Sequence, residues 1–273
     1  MIKDITLGQY FPGNSAIHRL DPRTKLLGMI AYIVIVFLVT KTPAFIIPAL
    51  FAAICIYLAR VPFGYVIRSL KPIRFLLVFM FIVNLFMVRT GKTVIAFWII
   101  SITDEAIKQS VYITLRLVLL LVGTSLMTLT TTPNQLTDGL EKALMPLSKI
   151  GVPVHAIAMM MSIALRFIPI LLEETDKIMK AQIARGADFE SGNILQRAKA
   201  MIPILVPLFV SAFRRANDLA MAMEARCYHG GEGRTKMKPL KYKKRDGIAF
   251  AVLFLYLVIL IGTVKWVPMI WMI

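Results

Sequence analysis

Five stretches of the chain are apolar for close to the length of a bilayer crossing: Leu26 to Thr40, Pro43 to Ala59, Phe75 to Val88, Val111 to Thr131 and Ile248 to Val264. Arg116 is the single charge among them. In hydrocarbon such a segment can satisfy its backbone groups only as a helix, and about 20 residues are needed to cross. The stretches are short, so a flanking turn extends each, with Arg60, Arg74 and Lys265 reaching back to the headgroups. The expected fold class is an all-α integral membrane protein with about five transmembrane helices. Composition excludes the alternatives. Of 273 residues, 58% are hydrophobic and 17% charged, too apolar a balance for a water-soluble globule or a disordered chain. The first apolar stretch begins only after a mixed segment of 25 residues, so it reads as a retained helix and not as a removable signal.

The 32 Lys+Arg against 15 Asp+Glu leave a net charge of +17, which in a soluble protein would suggest nucleic acid. Here the distribution reads as topology. With a cytoplasmic N-terminus, the inside segments hold four basic residues before the first span, four between spans two and three, and eighteen between spans four and five. The outside segments hold five: Lys41, Arg89, Lys92, Lys108 and Lys265. This bias predicts a multi-pass protein of the cell membrane, N-terminus in and C-terminus out, with no nucleic-acid partner. Arg116 is costly in lipid and should face a protein neighbour or lie near an interface. Thr93 to Ile102 is β-branched but too short to span, and is expected as an outside loop or small strand pair. Two cysteines and three histidines, scattered along the chain, offer neither a zinc cage nor a disulfide framework.

The chain thus divides into residues 1–131, with four spans, residues 132–245, a cytoplasmic or interfacial helical module, and residues 246–273, the last span. The middle part is rich in charge, Met, Ala and Pro. Thr132-Pro133-Asn134-Gln135 fits a capping box, and Leu136, Leu140 and Leu144 mark the stripe of a short helix ending near Pro146. From Val154 an apolar run to Leu172 turns amphipathic and stops at Ala184-Arg185-Gly186. A second unit, beginning near Met201, stops at Ala225-Arg226-Cys227, its arginine 41 residues after the first. Both units carry a charged turn about eleven residues before the arginine, as in a weak internal duplication. A helix C-terminus favours an arginine on electrostatic grounds alone. Alternatively, each arginine, flanked by small residues, projects its planar fork into a pocket on another protein. Met159, Met160 and Met161, with Met201, Met221 and Met223 of the second unit, which also passes Pro203 and Pro207, give a soft surface that serves as core or suits an exchangeable partner. Val154 to Leu172 is long enough to cross the bilayer and Met201 to Phe213 nearly so; Arg166 and the prolines favour helices lying at the cytoplasmic interface. Arg234 to Arg245, with seven basic residues and no acid, reads as a juxtamembrane anchor for anionic lipid.

Missing motifs narrow the function. Gly91-Lys92-Thr93 lacks the upstream glycine of a P-loop, because position 86 is Phe86. No nucleophile elbow, His-Glu-x-x-His pair or intramembrane acidic pair occurs. No catalytic residue, metal site or directly bound cofactor is therefore expected. A self-contained secondary transporter or channel would need a polar site at mid-membrane, for which only Asn84 and Arg116 are candidates.

With its opening Gly13-Asn14-Ser15 through Leu20-Asp21-Pro22-Arg23-Thr24-Lys25-Leu26 and its two arginine tripeptides, the chain resembles, over nearly its whole length, the transmembrane T components of energy-coupling factor (ECF) transporters, ABC-type importers of vitamins and metal ions. The resemblance implies partners: two cytoplasmic ABC ATPases, which consume the ATP, and a small membrane S component that binds the substrate. It implies that Arg185 enters one ATPase and Arg226 the other, with Ala184, Gly186, Ala225 and Cys227 permitting close approach. Cys227 departs from the Gly or Ser more usual there. It further implies that closure of the ATPases on ATP moves the two helix ends and so reorients the S component, which the methionine and proline surface would contact.

Overall fold

The computed structural model describes residues 10–39, 42–88, 90–97, 100–189, 191, 193–230, 237 and 239–266. They form two compact units, one comprising Gly8–Gly139 with Leu240–Ile273, the other built on Leu140–Pro239.

In the first unit the chain enters through a polar turn. Ser15 Oγ lies 2.7 Å from His18 Nδ1, and His18 Nε2 lies 3.0 Å from the Phe11 carbonyl. A carbonyl only accepts, so Nε2 carries a proton, and in the neutral ring Nδ1 then accepts from the serine hydroxyl. Asp21 then caps α1 (Pro22–Leu38), its carboxylate accepting from the Arg23 N–H at 2.9 Å with Pro22 at the first helical position. A 3-10 turn, Thr42–Phe45, leads into α2 (Ile46–Ala59), which ends on Arg60 at φ +53°. The basic segment between the second and third apolar stretches is largely helical: α3 (Phe63–Leu70) continues through a 3-10 turn at Lys71–Ile73 into α4 (Arg74–Met87). Pro72 is tolerated there because it falls in the first turn of the 3-10 segment, where its missing N–H costs nothing.

One antiparallel hairpin, β1 (Thr93–Phe97) with β2 (Ile100–Thr103), interrupts the helices, with Thr93 opposite Thr103. Of the two alternatives expected at this position, a loop or a small strand pair, the strand pair is present. Thr103 caps α5 (Asp104–Thr130), and Asp104 and Glu105 suit the positive end of its dipole. Helix α5 is the hub, packing on α1, α2, α3 and α4, while α1 also packs on α9 (Lys244–Trp266). Their shared core holds Tyr32, Ile35, Val36, Leu119, Tyr256 and Leu260. Phe51 stacks on Tyr256 with ring centroids 4.3 Å apart and on Tyr32 at 6.0 Å. Gly123 allows this approach, because a Cβ there would fall 2.4 Å from the Tyr32 ring.

Helix α6 (Pro133–Leu144) begins with the expected capping box: the Gln135 N–H donates to Thr132 Oγ1 at 3.3 Å and the Thr132 N–H to Gln135 Oε1 at 3.2 Å. The second unit contains α7 (Val154–Ala184) and α8 (Ile194–Glu224). Helix α8 starts seven residues before the position expected from the apolar run, because Asn193 and Gln196 form a capping box whose Asn193 N–H donates to Gln196 Oε1 at 3.0 Å. The apolar pattern records where the helix becomes hydrophobic, and the cap records where it begins. Besides α1, which carries the first apolar stretch, six helical runs among the described residues are long and apolar enough to cross a membrane: Thr42–Ala59, Phe63–Met87, Asp104–Thr130, Val154–Ala184, Leu195–Glu224 and Lys244–Thr263. The chain is a multi-pass, predominantly helical membrane protein.

Candidate functional site

A helix ends in carbonyls that have lost their partners, and a residue turned into the left-handed region is a common way to satisfy them. At the end of α7 the N–H of Arg185 donates to Gln182 O at 3.1 Å, that of Gly186 to Ile183 O at 2.9 Å and that of Ala187 back to Gln182 O at 3.0 Å. Gly186 makes the turn at φ +86°. At the end of α8 the N–H of Arg226 donates to Met223 O at 3.1 Å, that of Cys227 to Glu224 O at 2.8 Å and that of Tyr228 to Met223 O at 3.1 Å. Cys227 makes this turn at φ +55°. Every bond of the second set lies 41 positions after its counterpart, so the duplication extends from the tripeptides to the backbone that presents them.

Both arginines are exposed, as are Ala184, Gly186, Ala225 and Cys227. Among the described residues neither guanidinium has a hydrogen-bond or ion-pair partner. The left-handed turns already serve the last carbonyls through backbone N–H groups, which leaves five side-chain donors on each arginine uncommitted.

Upstream, α7 and α8 pack together. Glu174 accepts from Ser211 Oγ at 2.8 Å and from Arg215 Nη2 at 2.6 Å. Beyond the apolar stretch of α7, this carboxyl is held below its usual range by the Ser211 hydroxyl and then by the Arg215 guanidinium. Glu174 and Arg215 are themselves 41 residues apart. Corresponding positions of the two repeats thus touch where α7 and α8 cross. From this crossing each arginine is eleven residues away, an arm of about 16 Å at helical rise. The pair escapes a reading of the two helices one at a time. The signal that finds it is the repeat offset, which brings an acid and a base to matching positions.

Farther back, Met160 and Met161 are exposed and Met159 half-buried, while Pro203 and Pro207 lie exposed within α8. Phe209 and Phe213 pair at 4.8 Å between centroids yet remain 66% and 58% exposed. So large an apolar surface calls for lipid or a protein to cover it. The mid-membrane polar candidates make bonds within the fold, although the buried Arg116 Nε has no hydrogen-bond partner among the described residues. Asn84 Nδ2 donates to Met80 O at 2.8 Å in its own helix, and Arg116 donates to Val39 O at 2.9 Å and to the Tyr112 hydroxyl. Arg116 also stacks on Tyr112 at 4.5 Å. It thus caps the C-terminal end of α1, the structural pairing expected of it.

Residues 13–237 match the CbiQ family of cobalt transport proteins. The chain is 53% identical over 268 residues to the energy-coupling factor transporter transmembrane protein EcfT of Clostridium kluyveri, covering 97% of this chain and 99% of the relative. It is 48% identical over 246 residues to EcfT of Bacillus subtilis, covering 90% and 93%. With EcfT of Lactococcus lactis it shares 44% over 260 residues, covering 95% and 98%.

Proposed function

The chain belongs to the CbiQ family, whose model its residues 13–237 match, and from that premise we propose how a transmembrane subunit of an energy-coupling factor transporter uses its two arginine-bearing helix ends. Arg185 docks in a groove of one cytoplasmic ABC ATPase and Arg226 in a groove of the other. The observation that carries this reading is the pair of helix ends with identical backbone bonding, both arginines exposed and unengaged. Two equivalent projections suit two equivalent partners. Small neighbours, Ala184 and Gly186 or Ala225 and Cys227, let a partner's backbone approach, and the planar fork makes several charge-assisted bonds there.

The chain itself binds no nucleotide and catalyses nothing. When ATP draws the two ATPases together, the helix ends follow, and the crossing at Glu174, Ser211 and Arg215 converts their approach into a change of angle between α7 and α8. The exposed face that includes Met159, Met160, Met161, Pro203 and Pro207 contacts a small substrate-binding membrane subunit, which reorients to release a vitamin or metal ion. Coupling of this kind requires only that contacts differ between the two states. The N-terminus and both arginines face the cytoplasm, and the C-terminus lies outside, in line with the bias of basic residues.

The test is retention and uptake in the co-expressed complex. Arg185→Ala or Arg226→Ala is expected to weaken ATPase retention at least about tenfold, as loss of a buried arginine anchor does, or to leave hydrolysis running without uptake. A double variant with full assembly and full uptake would contradict the proposal.

A further inference from the structure

Between α1, α2, α5 and α9 the membrane unit holds a cleft of about 510 Å³. Its walls are apolar, with Gly28, Leu58, Leu126 and Leu253 among them, and at one end it is lined by Lys25 and Arg245. That end lies at the first turns of α1 and α9. The other closes on Tyr32 and Phe51, two rings of the aromatic stack. From Lys25 to Tyr32 is seven residues and from Arg245 to Leu253 eight, about 10 to 12 Å along the helices. The cleft therefore spans less than one leaflet of a hydrocarbon core about 30 Å thick. A crossing helix of another protein would need the whole thickness; a lipid tail needs only its own half.

The charge at the open end selects further. Two acids stand nearby and both are occupied. Asp21 holds Arg23 Nε and Nη2, each at 3.0 Å, and Arg23 lies over the Tyr242 ring at 3.9 Å. Asp246, buried, accepts from the Asp21 N–H at 2.9 Å, Thr24 Oγ1 at 3.1 Å and the Lys243 N–H at 2.8 Å. Lys25 is only 8% exposed, and its Nζ donates to the Thr130 and His18 carbonyls at 2.7 and 3.2 Å. An ammonium has three donors, so one remains, and two carbonyl dipoles do not neutralise it. Arg245 is exposed. Among the described residues neither cation has a carboxylate partner.

We propose that this cleft is a binding site for one anionic glycerophospholipid, with an acyl chain between α1 and α9 and its phosphate at Lys25 and Arg245. The lipid comes from the leaflet at the N-terminal ends of these helices, the cytoplasmic one under the sidedness given above. The site is independent of the arginine docking, which stands or falls separately.

Native mass spectrometry of the full chain in mild detergent, with equimolar dioleoyl phosphatidylglycerol and dioleoyl phosphatidylcholine, tests it. Each cation near a headgroup is worth about fivefold in affinity, so phosphatidylglycerol adducts should dominate and Arg245→Gln should reduce the preference about fivefold. Gly28→Leu fills the cleft where a Cβ meets nothing within 4 Å, and should abolish the retained adduct with both cations intact. Ala249→Leu fills it independently from α9 and should act alike. Equal retention of the two lipids by the native chain would overturn the proposal. So would phosphatidylglycerol binding that survives both filling variants, since the headgroup would then be held by surface charge alone.

Discussion

Cys227 and Gly186 perform the same backbone turn with different side chains, and the difference has a direction. A side chain bearing a Cβ loses roughly 1–2 kcal/mol in the left-handed region, which glycine enters freely. The turn at Cys227, with φ +55°, is therefore strained where that at Gly186 is not. Cys227→Gly should raise the thermal midpoint of the purified chain, and Gly186→Ala should lower it, each by the equivalent of about 1 kcal/mol. Equal effects of the same sign would refute the matched geometry. From sequence alone the tripeptides and the substitution of cysteine for glycine are visible. The positive φ that makes the substitution matter is not, because a cysteine gives no advance sign of left-handed backbone. Lys25 and Asp246 are equally unreadable as functional, since all but one of their partners are main-chain groups and most lie far along the chain, up to 225 residues away.

Among the elements, the crossing of α7 and α8 depends on Glu174 bonded to Ser211 and Arg215. If it is the fulcrum, Glu174→Arg or Arg215→Glu alone should reduce uptake more than assembly, and the charge-swapped double variant should recover most of the loss. Uptake in the double variant no better than in the worse single one would remove the pair from the mechanism. Because the Glu174 carboxyl is held below its ordinary value by the Ser211 hydroxyl and the Arg215 guanidinium, its contribution is complete above the ordinary carboxylate range and fades only as acid is added through the lower folded value. The contact between α7 and α8 should accordingly be indifferent to pH across the neutral range, as an engineered cross-link near the crossing would report. Element positions were largely legible. Apolar length gave α1, α2, α4, α5 and α9, and capping chemistry gave α6. The start of α8 and the helical character of α3 were not, because short amphipathic or polar helical segments carry no long apolar run and are set by caps and neighbours.

For the whole molecule, length and hydropathy do not separate helices that cross from helices that lie beneath the membrane. Helices α7 and α8 satisfy the same criterion as α5 and α9, yet they carry Arg166, Glu173, Glu174, Arg214 and Arg215 along their length. A bilayer would require each of these charges to be paired or to snorkel. The docking proposed above demands that both arginine ends lie on one side, whereas two crossings would put Arg185 outside and leave Arg226 inside. The chain supplies half of the probe: Cys227 is exposed beside Arg226. The measurement is side-selective thiol labelling in intact cells and inverted vesicles, comparing Cys227 with Ala187→Cys in a Cys227→Ser background. Labelling of both only from the cytoplasmic face is the predicted result, and labelling of the cysteine at position 187 from outside would contradict the account.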